Sequence, residues 1–168
     1  MEQFDANSNG DLSSDELAAC PALTHALPRY DADGDKSLDV AEIEAGIARW
    51  AESELGATPL TFRVQLDGLP LDGAKVKLVP EGFLNGSIQP AAGEAGRGGH
   101  GMLGMSPEDR PDNAPNMPLV QPGLYSVEIT HSSKRIPAKY NTSTMLGLEV
   151  ARDSVAPEGV LWTLTTGK

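Results

Sequence analysis

The chain has 168 residues, a formal net charge of −11 at pH 7 and an isoelectric point near 4.6. Its 24 acidic and 13 basic residues form no basic stripe and no basic–aromatic patch, which argues against nucleic-acid binding. No apolar run is long enough to span a bilayer, and a single cysteine, Cys20, leaves neither an intramolecular disulfide nor a thiolate metal site.

The charge is unevenly placed. Residues 1–56 hold 13 acidic and 3 basic side chains, so nearly all of the negative charge lies there, and residues 57–168 are close to neutral. Two twelve-residue stretches account for much of it: DANSNGDLSSDE at 5–16 and DADGDKSLDVAE at 31–42. In each, oxygen-bearing groups fall at positions 1, 3, 5, 7, 9 and 12, the alternation that wraps oxygens around a hard divalent cation wanting about six to eight of them. The candidate ligands are Asp5, Asn7, Asn9, the Asp11 carbonyl, Ser13 (through a water) and Glu16, then Asp31, Asp33, Asp35, the Ser37 carbonyl, Asp39 and Glu42. Phe4 and Tyr30 each precede a loop, and Leu12 and Leu38 each occupy loop position 8.

This pattern resembles the EF-hand family, over roughly the first fifty residues. The resemblance implies two Ca²⁺ sites and a short β-bridge between the loops at position 8. Position 6 ordinarily carries glycine because the backbone there has φ > 0. Gly10 fits, whereas Lys36 in the second loop implies strain of about 1 kcal/mol. The second loop has carboxylates at Asp31, Asp33, Asp35, Asp39 and Glu42, against Asp5 and Glu16 in the first, so it is expected to bind more tightly.

Only four residues precede the first loop, so its entering helix is expected to be cut short, with a leader upstream of the present start. A helical turn is expected at 15–19, and Pro21 suits the first position of a new helix. Leu23, Leu27 and Tyr30, then Val40, Ile43, Ile47 and Trp50, recur at helical spacing and predict a miniature core between the hands. Cys20 is expected as a small buried hydrophobe.

Helical spacing stops near residue 51. Residues 53–59 read as a linker, and period-two segments follow at 61–66, 74–79, 123–130, 145–150 and 160–165. Short alternating runs bounded by Gly and Pro predict an antiparallel β-sandwich, with Tyr125, Val127 and Ile129 facing inward. VQLDGLPLDGAKVKLVP at 64–80 and QPGLYSVEIT at 121–130 resemble the transthyretin-like, carboxypeptidase-regulatory β-sandwich, and the tail at 136–150 resembles a variant found in secreted bacterial proteins, some carrying EF-hands. Asp67-Gly68 would make the tight turn, with Gly73 releasing the chain into the next strand. The family's T-D-x-x-G turn is replaced here by residues 93–104.

The expected fold is therefore α+β in two domains: an EF-hand pair at 1–52, the linker at 53–59, and a β-sandwich of about seven strands at 60–168. Other chemistry is weaker. GRGGHG and GHGMLG at 96–104 satisfy G-x-G-x-x-G, but Ser106-Pro107 follows instead of a helix, so a flexible loop is expected there rather than a dinucleotide site. His100, Met102, Met105 and Met117 are expected as loop and core residues, not a copper site. Glu128 is out of phase with Tyr125, so it cannot promote a Lys–Asn cross-link from Lys77, Lys139 and Asn141. Asn85-Gly-Ser and Asn141-Thr-Ser fit the glycosylation sequon.

No nucleophile has a base beside it. The sequence reading is a non-enzymatic, calcium-binding protein of the bacterial cell envelope or exterior, with calcium as a structural clip fixing the Trp50 helix to the sandwich. Two alternatives stay open. One is a dockerin-like module with an extracellular protein partner, against which the unlike pairs Ser14-Asp15 and Val40-Ala41 count. The other is a carbohydrate-binding sandwich, which needs an exposed aromatic platform from among Phe62, Phe83, Tyr125, Tyr140 and Trp162.

Overall fold

The computed structural model describes residues 3–52, 56–84, 86–110, 115–152, 154–156 and 158–167. The start of the expected linker (53–55) and Asn85 of one sequon lie outside them.

The acidic segment forms two loop–helix units. Strand β1 (Asp11–Leu12) pairs antiparallel with β2 (Leu38–Asp39), placing Leu12 opposite Leu38. Helix α1 (Ser14–Leu17) starts in a capping box, in which Ser13 and Glu16 satisfy each other's backbone N–H groups. Helix α2 (Pro21–Tyr30) opens on Pro21, whose missing N–H costs nothing there, and α3 (Val40–Glu52) follows β2 directly.

The rest is β-rich: β3 (Leu60–Leu66), β4 (Leu69–Pro70), β5 (Ala74–Pro80), β6 (Ala91–Glu94), β7 (His100–Met105), β8 (Gly123–His131), β9 (Gly147–Val150) and β10 (Val160–Leu164). All five alternating segments read from the sequence overlap these strands, although Met145 and Leu146 precede β9 and Thr165 follows β10. Asp67 (φ 50°) and Gly68 (φ 80°) join β3 to β4 in a two-residue turn whose twist suits a hairpin.

The sheet departs from the expected antiparallel sandwich of about seven strands: it is one sheet of eight. Its strands run β10-β3-β7-β6-β5-β8-β9 in a single curled half-barrel, antiparallel except where β10 lies parallel to β3. The joining strand is β7, in the glycine-rich stretch expected to be a loop. It pairs with β3 from Leu60↔Leu103 to Arg63↔His100, and with β6 at Ala91↔Met105 and Ala92↔Gly104. The glycines make room for this. A Cβ on Gly101 would lie 2.5 Å from the Phe62 ring, and one on Gly93 would strike the Met102 carbonyl. The sheet therefore curls around Phe62, which meets Trp162 at 5.9 Å between ring centroids.

Tyr125, Val127 and Ile129 are fully buried inside the curl, as the alternation predicts. On the opposite face of β8, Leu124 joins Leu84 in a second core with Leu12, Leu17, Leu23, Ala26, Tyr30, Leu38 and Ile43. The expected miniature core between the hands is thus completed by residues of the β-rich part, and α2 lies across β8 and β9. Gly147 permits this approach, since a side chain there would run into the Pro21 carbonyl. No helix among the described residues is long and apolar enough to cross a membrane.

Candidate metal centre

The two acidic loops close in the same way. The last carboxylate folds back to the second residue: Ala6 N–H donates to Glu16 Oε1 at 2.9 Å, and Ala32 N–H to Glu42 Oε1 at 2.8 Å. Its other oxygen takes the N–H of position 9, from Ser13 at 3.0 Å and from Asp39 at 3.1 Å. The first carboxylate accepts from position 6, Gly10 to Asp5 at 3.0 Å and Lys36 to Asp31 at 3.1 Å. Between them, Asn7 and Asp33 accept from position 5, and Asn9 and Asp35 from position 7. The β1–β2 bridge and a bond from Ser14 Oγ to the Lys36 carbonyl at 3.1 Å join the loops.

These bonds turn side-chain oxygens of positions 1, 3, 5 and 12 toward backbone N–H groups of their own loop. In the second loop, carboxylate oxygens of Asp31, Asp33 and Asp35 lie within 4.8 Å of one another, a crowding of negative charge suited to a divalent cation. The Ser37 hydroxyl and N–H hold the Asp35 pKa below its ordinary value, and those of Ser13 do the same for Glu16, so both are ionised at neutral pH.

Backbone strain differs from the sequence expectation. Lys36 has φ 68° as anticipated, but Ser8 at position 4 of the first loop has φ 57°. The partners at those positions are Gly34 (φ 82°) and Gly10 (φ 94°), so each loop has one glycine and one non-glycine residue in the left-handed region. Strain no longer separates the loops. The carboxylate count alone favours the second.

The centre is tied to the sheet by a carboxylate that the sequence reading did not single out. Glu149, on β9 and 1 % exposed, accepts from the Tyr30 hydroxyl at 3.1 Å and from Trp50 Nε1 at 3.2 Å, both at Oε1. Its Oε2 lies 3.2 Å from Arg29 Nη1. His25 Nδ1 accepts from the Glu149 N–H at 3.3 Å, and burial keeps the His25 pKa below its ordinary value against the pull of the carboxylate. At the other end of α2, Glu81 lies against Cys20 and the Ala22 N–H; burial raises its pKa. Burial, with the charge of Glu81, pushes the Cys20 thiol up to about 12, so Cys20 behaves as the inert hydrophobe expected of it.

The remaining candidates are dispersed. Met105 is buried while Met102, on the other face of β7, is 37 % exposed. Lys77 and Glu128 stand opposite each other in register, and Asn141 Nδ2 is engaged with the Ile136 and Pro137 carbonyls at 3.2 Å. Phe62, Tyr125, Tyr140 and Trp162 are in the core, and half-buried Phe83 packs edge-on against Phe4 at 6.2 Å. Comparison with protein-family models, curated proteins and solved structures gives no significant match.

Proposed function

We propose that residues 5–16 and 31–42 each bind one Ca²⁺, and that the chain is a non-enzymatic structural protein of the cell exterior or envelope. In this reading calcium clips an EF-hand pair onto a transthyretin-like β-unit. The observation that carries it is the equivalence of the two loops. Twelve residues with different side chains at most positions adopt the same internal hydrogen bonds and meet through a Leu12–Leu38 bridge. A solvated acidic turn has no reason to be duplicated in that detail.

The β-unit assignment draws support from its turns: Asp67-Gly68 and Gly73 (φ 79°) have the left-handed conformations that the D-G-x-P-L-x-G-A pattern requires. The structural role draws support from the packing of α2 across β8 and β9 and from the Trp50–Glu149 hydrogen bond that ties α3 to β9. The aromatic side chains named for a sugar platform are largely internal, which weighs against the carbohydrate reading.

Calorimetric titration of Ca²⁺ into metal-stripped protein, repeated with Mg²⁺ and with Glu42→Gln, tests the proposal. Two sites with Kd of about 10⁻⁴–10⁻³ M, one weakened strongly by the substitution, are the expected result for a module loaded by extracellular calcium. Micromolar affinity would point to a sensor, and absence of calcium heat would overturn the reading.

A further inference from the structure

In the second loop, Asp31 follows the last residue of α2 and Glu42 lies in the first turn of α3. A single ion can be shared by Asp31 and Glu42 only if the two helices keep a fixed angle and spacing. Glu149 spans them. Its Oε1 takes one hydrogen bond from Tyr30 at the end of α2 and one from Trp50 on α3, and its Oε2 pairs with Arg29.

The same junction is tightened around the Tyr30 ring. Gly46 of α3 lies against the ring without room for a Cβ, Arg49 stacks over it at 5.2 Å, and Arg49 Nη2 donates to the Arg29 carbonyl at 3.0 Å. In the first loop α1 spans only Ser14–Leu17, and its loop is joined to the rest through β1, Ser14 and Phe4.

From this we infer that Glu149 is a positioning residue for the second loop: a carboxylate of the sheet presets the α2–α3 geometry and so sets the calcium affinity of Asp31–Glu42 while leaving the first loop to its own ligands. The inference rests on the calcium reading above. By linkage, calcium in the second loop must in turn strengthen the docking of both helices on β9. The expected asymmetry is therefore more than one of charge: the sheet supplies a buried carboxylate to the helices of the second loop, whereas the first is joined to it through the apolar packing of Phe4, Leu12 and Leu17.

The test is Ca²⁺ titration of the full chain as Glu149→Gln, with Tyr30→Phe, which removes one donor and keeps the ring, and Trp50→Phe, which removes the other donor together with part of the indole. Loop two is read in a Glu16→Gln background and loop one in a Glu42→Gln background. Glu149→Gln is expected to weaken loop two about tenfold, and each ring variant somewhat less, with loop one unchanged within about twofold. Should Glu149→Gln fail to fold, the two ring variants decide the matter alone. Equal weakening of both loops would reduce Glu149 to general stability, and unchanged affinity in loop two would overturn the inference outright. Absence of calcium binding by the unsubstituted chain would instead remove the underlying reading.

Discussion

The Tyr30 hydroxyl donates to Glu149 Oε1 at 3.1 Å across 119 positions of sequence, and Trp50 Nε1 reaches the same oxygen. Burial, followed by the charge of Glu149, raises the tyrosine pKa, so Tyr30 remains a donor over the whole accessible range. Replacing Glu149 by Ala strands two donors and leaves Arg29 without its acid. Arg29 is partly exposed and rehydrates, so the loss falls at the lower end for buried pairs, about 3 kcal/mol. Tyr30→Phe should cost about 1 kcal/mol. Urea unfolding in saturating calcium, followed by tryptophan fluorescence, measures both, and a loss for Glu149→Ala no larger than for Tyr30→Phe would refute this account.

Gly46 faces the ring of that tyrosine. Gly46→Ala would normally stabilise an exposed helix by about 1 kcal/mol, but here the new methyl meets the ring face and overpacking of about 1–3 kcal/mol outweighs it. Net destabilisation is expected in the unsubstituted background. With Tyr30→Ala the obstruction disappears, and the same substitution should then stabilise. A thermal-unfolding double-mutant cycle reads the change of sign.

Strain at Lys36 and Ser8 can be relieved one loop at a time. Lys36→Gly is expected to tighten the second loop about fivefold, the equivalent of about 1 kcal/mol, and Ser8→Gly to do the same for the first. Lys36→Ala removes the positive charge but keeps the left-handed penalty, so its difference from Lys36→Gly isolates the backbone term. Titration calorimetry in which Lys36→Ala equals Lys36→Gly would assign the whole gain to charge.

Chelation should separate the two parts of the molecule. The loop carboxylates repel one another without a cation, whereas the core around Phe62, Tyr125 and Trp162 does not involve them. The helical circular dichroism signal is expected to fall on chelation and return with calcium, while the sheet signal persists. An unchanged helical signal would mean that the shared core of Leu84 and Leu124 is enough to hold α2 and α3.

How far the sequence carried this picture depends on the range of the forces involved. Strands at 123–131 and 160–164 were legible because alternation is local: Tyr125, Val127 and Ile129 announce their own buried face. The loop spacing was legible for the same reason. The glycines at 93–104 were misread as a loop because their purpose, closing on Phe62 some thirty to forty residues earlier, is a tertiary contact that composition does not reveal. The left-handed backbone of Ser8 was not legible because serine carries no local mark of that conformation, unlike Gly34 at the same position of the second loop. Glu149 carried only one signal, an acid in the apolar run GLEV, and its three partners lie more than ninety residues away.

Glu81 predicts a pH dependence of opposite sign to that of the loop acids. Burial beside Cys20 raises its pKa, so the folded state binds its proton more tightly than the unfolded chain does. The stability it contributes is fully present below the ordinary glutamate value of about 4.3 and is lost as pH rises through the raised folded value. Glu16 and Asp35, whose pKa values are lowered, contribute stability above the ordinary values that is lost as pH falls. Glu81→Gln cancels only the first effect. The free energy of unfolding of Glu81→Gln relative to the unsubstituted chain should therefore increase between pH 4 and pH 7, both measured in the same saturating calcium; the loop acids are common to the two chains and cancel in the difference. Gln can also accept from the Ala22 N–H, which keeps the start of α2 capped in the variant. A difference that stays flat with pH would mean that Glu81 titrates alike in the folded and unfolded chain, and that its burial against Cys20 carries no energetic weight.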